Sequence, residues 1–175
     1  MKHRPIIFSA PMVRAILSGQ KTQTRRLVKP QPSLTHERAD GTSHLMDATF
    51  SRAFGGVVFG YTMGEGEIIL SPYGQPGDHL WVRETFADIS GPDRCAIYRA
   101  DKSDAANIIS EAKAWKPSIH MPRWASRITL EVTDVRVERL KDISSEDAAA
   151  EGWPGPDELN SIASAYPIAW YSHLW

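Results

Sequence analysis

The chain has 175 residues, 42% hydrophobic and 23% charged, which is enough for one domain with a packed core and no covalent staples. Its 20 basic and 21 acidic residues leave a net charge of −1, which argues against tight, sequence-independent binding to duplex DNA. Cys95 is the single cysteine, so an internal disulfide is excluded and a reducing compartment fits. The stretch Met1 to Phe8 lacks the apolar core of a signal peptide, and no run approaches the ~20 apolar residues of a membrane helix. These features predict a soluble, cytoplasmic protein with no membrane partner.

Ile6-Ile7-Phe8 reads as a short first strand. Ser9 can cap a helix with Pro11 in its first turn, where proline is best tolerated. Met12, Ala15 and Ile16 share one face of that helix, and Val13 and Leu17 widen it. Gly19 is its expected stop. Lys21 to Val28 then runs extended. Residues 29–56 are polar, contain Pro30 and Pro32, and read as a long surface insertion with few strand signals.

Val57-Val58-Phe59 and Ile68-Ile69-Leu70 predict two strands around the glycine-rich turn at 63–66. Residues 71–78 are turn material leading into a strand, Leu80 to Glu84. Cys95 to Arg99 predicts another strand, in which the thiol is expected to be buried and inert. Residues 103–114 have helical composition. Trp115 to Trp124 contains Pro117 and Pro122 and reads as a loop. Ile128 to Val132 is the strongest strand signal, and its apolar parity flips before Val135 and Val137, as a bulge near Thr133-Asp134 would allow. Ser144 or Ser145 should cap a short helix that Gly152 ends. The chain closes on the apolar run Trp170 to Trp175, which suggests that a further segment normally follows. The sum is an α+β fold, a strand-rich sheet or small barrel with a few short helices.

The densest chemistry lies in Gly19-Gln20-Lys21-Thr22-Gln23-Thr24-Arg25-Arg26. A threonine hydroxyl attacks a carbonyl only when a neighbour takes its proton, and a lysine can do so. The plainer reading is that Lys21 complements the carboxyl end of the preceding helix. Strict alternation would also point Lys21 and Thr24 to opposite faces. Glu151 sits in the last turn of its helix, where the macrodipole disfavours an anion. It either calls for a cationic partner, with Lys21 as a candidate, or is a solvated surface acid.

Trp81, Arg83 and Thr85 alternate with Val82, Glu84 and Phe86. Glu84 therefore lies on an apolar face and should be paired, as a structural ion-pair member or in a pocket wall. The loop from Trp115 to Trp124 mixes aromatic and basic groups that suit nucleobase stacking, or it simply covers the core. The histidines show no metal-binding spacing, and no glycine-rich phosphate loop is present. Neither metal nor cofactor is expected.

The run from Gly19 to Arg26 resembles the G-x-K-T-x-T-x-R signature of ASCH-domain proteins, and within them the bacterial N4-acetylcytidine amidohydrolases. Gly77-Asp78-His79-Leu80-Trp81-Val82 resembles the family's G-D-x-L-x-V strand. Ile128 to Val137, with Leu140 to Glu151, resembles its long strand and glutamate-bearing helix. The resemblance implies a small mixed β-barrel of PUA-like type with short flanking helices, spanning 1–175 as a single domain. Residues 29–76 and 87–127 then correspond to insertions found in larger phage and prophage members, and a final strand is missing. It also implies hydrolysis of the acyl amide on N4 of N4-acylcytidine by Lys21, Thr24 and Glu151, with Arg26 beside the site. Trp81, Arg83 and Glu84 are expected to line the substrate pocket. The implied partner is a modified nucleoside or base, with RNA also allowed. The alternatives are an RNA-binding module or a ribonuclease.

Overall fold

In the computed structural model, the described residues are 1–29, 35–37, 43–45, 48–51, 56–59, 67–89, 95–101, 114–154 and 167–172. The elements in chain order begin with β1 (His3–Ile7), α1 (Ala10–Leu17), β2 (Thr35–Glu37) and β3 (Ser43–Leu45). They continue with β4 (Ala48–Ser51), β5 (Gly56–Phe59), β6 (Glu67–Leu70), β7 (His79–Arg83), β8 (Phe86–Ile89) and β9 (Cys95–Tyr98). Last come β10 (Thr129–Glu131), α2 (Ser145–Ala150) and α3 (Pro167–Ser172). The fold is mixed α+β with few, short helices. Among the described residues the strands form four small sheets, ordered β1-β7-β10, β2-β3, β4-β5-β6 and β8-β9. No helix among them is long and apolar enough to cross a membrane.

The chain divides into two compact units. The first comprises Met1–Arg4, Arg25–Leu80 and Glu131–Asp142; the second comprises Pro5–Thr24, Trp81–Leu130 and Ile143–Trp175.

In the first unit, β4, β5 and β6 form an antiparallel meander, with Val57 opposite Ile69 and Val58 opposite Ile68. The apolar runs predicted these two strands; the glycine-rich turn between them lies outside the described residues. The polar segment 29–56 departs from expectation, since it contains β2, β3 and β4. Thr35-His36-Glu37 and Ser43-His44-Leu45 carry no long apolar period. They become strands because each supplies the other's ladder, and β4 likewise pairs along β5.

The turn before β7 is pinned by Asp78. Its carboxylate accepts from the Lys2 amide at 2.7 Å and from the Gln75 amide at 3.3 Å. The Lys2 hydrogen bond, with that from Gln75 and nearby positive charge, outweighs burial and holds the Asp78 carboxyl below the usual aspartate value. Gly74 has φ +93°, and a Cβ there would stand 2.7 Å from Asp78 Oδ2. Glycine is therefore required twice over, by conformation and by space.

The segment after β10 is shorter in ladder than its sequence pattern. Val132, Val135 and Val137 are half-buried between exposed neighbours, with Thr133 and Asp134 both exposed at the parity switch. The alternation is thus present, but the strand ends at Glu131. Val132 still bonds the segment before β7, its N–H donating to the Asp78 carbonyl at 2.9 Å and its carbonyl accepting from the Gly77 N–H at 2.8 Å; beyond it the alternation sets facing without a regular ladder.

In the second unit, α1 ends as predicted at Gly19, whose φ is +77°. Val13 and Ala15 are its buried residues. Leu17 is 55% exposed, so the apolar face is narrower than the periodicity suggested. Along β7 and the two residues that follow it, buried Val82 and Glu84 alternate with half-buried Trp81, Arg83 and Thr85. β8 and β9 form a hairpin, with Phe86 opposite Tyr98. Phe86, Met121 and Ala125 make one buried cluster, with Ala96 and Tyr98 against it. Burying Phe86 and Met121 contributes about 1.5–3 kcal/mol each.

The loop 115–124 is stiffened by 3-10 turns at Ser118–His120 and Arg123–Ala125. It inserts Met121 into the core and leaves Trp124 43% exposed. Cys95 is exposed, contrary to the buried thiol expected from its apolar neighbours. It is the first residue of β9, where the chain enters the hairpin. The helical composition at 103–114 falls almost wholly outside the described residues.

Asp78→Ala should lower stability at neutral pH, measured by urea unfolding. A carboxyl whose folded-state value is depressed stabilises above its unfolded value, about 3.9. That stabilisation is lost as pH falls below it toward the lower folded value. The gap between wild type and variant should therefore close in that acid window and stay constant above it. Gly74→Ala should cost about 1–3 kcal/mol through positive-φ strain and the clash with Asp78.

Candidate active site

The second unit brings Lys21 and Glu151 together from positions 130 residues apart. Lys21 Nζ lies 2.7 Å from Glu151 Oε2, and the two side chains are only 2% and 6% exposed. Two local structures fix them.

Lys21 follows the turn that ends α1. Gly19 donates to the Ile16 carbonyl at 3.0 Å, and Lys21 N–H donates to the Ala15 carbonyl at 2.9 Å. The chain thus folds back across the helix end. Residues 21–23 next cross the end of α2, where Thr22 and Gln23 both donate to the Ala150 carbonyl, at 2.9 and 3.0 Å. These are carbonyls that a helix end leaves without intrahelical partners.

Glu151 is carried by α2. Asp147 N–H donates to Ser144 Oγ at 3.1 Å, so Ser144 caps the helix as its sequence predicts. Gly152 ends it with φ +99°, and a Cβ at Gly152 would lie 3.1 Å from Ala15 Cβ and 3.2 Å from Lys21 Cβ. The glycine permits both the turn and the close passage of Lys21. Ile143, Ala148 and Tyr171 bury the other side of this short helix against α3.

Among the described residues, three acceptors surround the Lys21 amine at 2.7 Å: Glu151 Oε2, the Glu151 carbonyl and the Gln23 carbonyl. They match the three protons of an ammonium. The Phe8 ring, itself buried, lies 5.7 Å from Nζ to its centroid and adds a cation–π contact. Lys21 therefore does complement a helix carboxyl end, but that of α2 rather than of α1. The same ammonium offsets the placement of the Glu151 carboxylate at the disfavoured end of its helix.

The other expected residues are distributed differently. Exposure alternates along the segment: Lys21 is buried and Gln23 half-buried, while Thr22 and Thr24 are exposed. Thr24 Oγ1 is not among the acceptors around the amine; the turn that would have brought the two side chains together is not made. Arg26 is exposed and belongs to the first unit. Trp81 is half-buried, with the guanidinium groups of Arg83 and Arg123 at 5.4 and 5.8 Å from its ring. Arg83 also donates to the Ile119 carbonyl.

Glu84 is paired, as its position on an apolar face requires. Its oxygens accept from Arg127 Nε at 2.9 Å and Nη2 at 3.2 Å. Arg127 Nη1 donates to Asp101 at 2.8 Å, and its guanidinium lies 3.9 Å from the Tyr98 ring centroid. Burial works against the Arg127 charge, but the hydrogen bonds to Glu84 and Asp101 outweigh it and raise its pKa. Burial also raises that of Tyr98.

Sequence reasoning missed three participants. Arg127 gave no signal linking it to Glu84. Gln23 and Asp147 are joined at 2.8 Å, Gln23 Nε2 donating to Asp147 Oδ1; their only signal was that each lies near a singled-out residue. Among the described residues, no group of three His, Cys, Asp or Glu side chains is close enough to hold a metal ion.

Removing one partner of a buried pair leaves an uncompensated charge. Lys21→Met and Glu151→Leu should each cost about 3–5 kcal/mol in urea unfolding, and the double variant should cost clearly less than their sum. Gly152→Ala should cost about 1–3 kcal/mol, because positive φ and the approach of Lys21 both oppose a side chain there.

No protein-family model, no curated protein and no solved structure matches this chain.

Proposed function

We propose that the chain is an amidohydrolase that removes the acyl group from the exocyclic N4 of N4-acylcytidine, on an ASCH-like domain of PUA-related barrel type. The observation that carries this reading is the buried Lys21–Glu151 contact at 2.7 Å. It joins the G-x-K-T-x-T-x-R segment to the acid that the same resemblance singles out. The reducing cytoplasm is the compartment that suits such an enzyme.

In this reading Thr24 Oγ1 attacks the acyl carbonyl carbon. Its proton moves to Lys21 Nζ as an Nζ proton moves to Glu151 Oε2, so the amine relays and the carboxylate is the net acceptor. The carbonyl oxygen takes up the negative charge. When the tetrahedral intermediate collapses, the C–N4 bond breaks. N4 then receives a proton from Lys21, which Glu151 replenishes. Water cleaves the resulting threonine ester by the same relay run again, releasing the carboxylic acid. The exposed Thr24 must come within reach of Nζ once substrate is bound; such contacts commonly tighten only in the substrate complex. Roles for Arg26, Trp81 and Arg83 toward substrate rest on the resemblance and on strand alternation. Glu84 is committed to Arg127 and is better read as structural.

Purified protein mixed with N4-acetylcytidine should release cytidine and acetate, followed by the ultraviolet shift as the acyl group leaves. Lys21→Ala and Glu151→Ala should slow turnover by about a hundredfold or more, and Thr24→Ser should retain more activity than Thr24→Ala. An unchanged rate in Lys21→Ala would refute the assignment. Strand scission of added RNA would favour a nuclease, and salt-sensitive RNA binding without turnover would favour a binding module.

A further inference from the structure

The amine cage around Lys21 depends on a carbonyl in a segment with no regular secondary structure. Gln23 O accepts from Nζ at 2.7 Å, and Gln23 lies in the irregular stretch after α1. Its amide side chain reaches the first turn of α2, donating to Asp147 Oδ1 at 2.8 Å.

Asp147 meets both halves of the site. Its carboxylate holds Gln23. Its carbonyl accepts from the Glu151 amide at 3.0 Å, and its own amide donates to Ser144 Oγ at 3.1 Å. One residue thus ties the segment bearing Lys21 to the helix bearing Glu151.

We propose that the Gln23–Asp147 hydrogen bond is a positioning contact that sets the Lys21 ammonium against Glu151. It fixes the Gln23 peptide so that its carbonyl forms one wall of the cage. Without it only the Gln23 N–H bond to the Ala150 carbonyl, at 3.0 Å, still holds this residue at α2; the carbonyl wall loosens, and the ammonium samples orientations away from Oε2. The catalytic consequence rests on the amidohydrolase reading; the geometric one does not. The two are therefore tested by separate readouts.

The first readout is the proton–nitrogen resonance of the Lys21 ammonium in labelled protein, at a temperature where unfolding shows every variant folded. Three acceptors and burial should keep its exchange with water slow enough to observe in the wild type. Asp147→Ala and Gln23→Ala should each broaden it or shift it toward the exposed lysines. Gln23→Ala removes the bond while keeping the acidic residue in the first turn of α2, so it serves if Asp147→Ala fails to fold. Asp147→Asn keeps an acceptor oxygen and should preserve the wild-type resonance. An unchanged resonance in Gln23→Ala overturns the proposal. A loss in Asp147→Asn equal to that in Asp147→Ala also overturns it, because charge rather than the hydrogen bond would then be at work.

The second readout is steady-state hydrolysis of N4-acetylcytidine. Gln23→Ala should lower kcat by about tenfold to a hundredfold and leave KM within about twofold, since the contact orients a reacting group and does not touch substrate. Asp147→Asn should retain most of kcat. A rise in KM with unchanged kcat would overturn the positioning role. If the wild type hydrolyses nothing while the resonance responds as described, the amidohydrolase reading fails and the positioning contact stands.

Discussion

An ammonium and a carboxylate cannot be buried separately in a protein of marginal stability. Each alone would cost several kcal/mol, more than most single contacts return. Lys21 and Glu151 are 2% and 6% exposed, so they must meet for this part of the chain to fold. Much of the local structure follows from that condition. Gly19 turns the chain back over the end of α1, and Gly152 removes the side chain that would block Lys21. The helix that carries Glu151 has six residues, too few to persist alone in water. It is held by packing against α3 and by the segment 21–23, whose amides and amine occupy its exposed carbonyls.

Among the described residues the second unit holds two buried carboxylates, Glu84 and Glu151, and their partners differ. Glu84 meets Arg127, whose planar fork engages both carboxylate oxygens and stays charged at any working pH. Such a pair locks a hairpin but cannot move a proton. Glu151 meets a lysine, which binds one carboxylate oxygen and two peptide carbonyls. Transfer of one proton across that 2.7 Å contact converts two charges into two neutral groups. In a low-dielectric setting this exchange is far less costly than separating the charges. The choice of cation therefore separates a carboxylate locked by a guanidinium from one that, in the proposed reaction, exchanges a proton with an amine, although both are buried.

How much of this could be read from the chain depends on how local each cause is. The strands β5, β6 and β7 were visible because each carries its own apolar run in the sequence. The stops at Gly19 and Gly152 were visible because a positive φ selects glycine at the residue itself. The polar strands β2 and β3 were not, because each owes its ladder to its partner. Val135 and Val137 sent the converse signal: their side chains alternate as a strand's do, but without a ladder neighbour there is no strand. The exposure of Cys95 was hidden for a related reason, since neighbours in sequence do not fix where a hairpin edge lies. At the candidate site, a cationic need at Glu151 could be inferred from its place at a helix end. The cage around Lys21 could not, because two of its three walls are main-chain carbonyls that any residue type supplies.

The alternation that separates Lys21 from Thr24 also bears on how the site could work. Inward positions 21 and 23 are held against α2, while outward positions 22 and 24 face solvent. The Lys21 amine and the Gln23 carboxamide thus lie behind the segment and the Thr22 and Thr24 hydroxyls in front of it. In the proposed reaction an exposed hydroxyl meets the substrate without opening the core, whereas a buried ion pair keeps its strength because water is excluded. These demands conflict if all three groups must sit together permanently. In the proposed reaction they are reconciled if Thr24 turns toward the amine only when substrate binds. The contacts with α2 run through Gln23, and on the other side of Thr24 the Arg25 guanidinium is held by Glu138 at 2.7 Å. The proposed reaction therefore asks Thr24 alone to turn toward the amine, between neighbours that stay held.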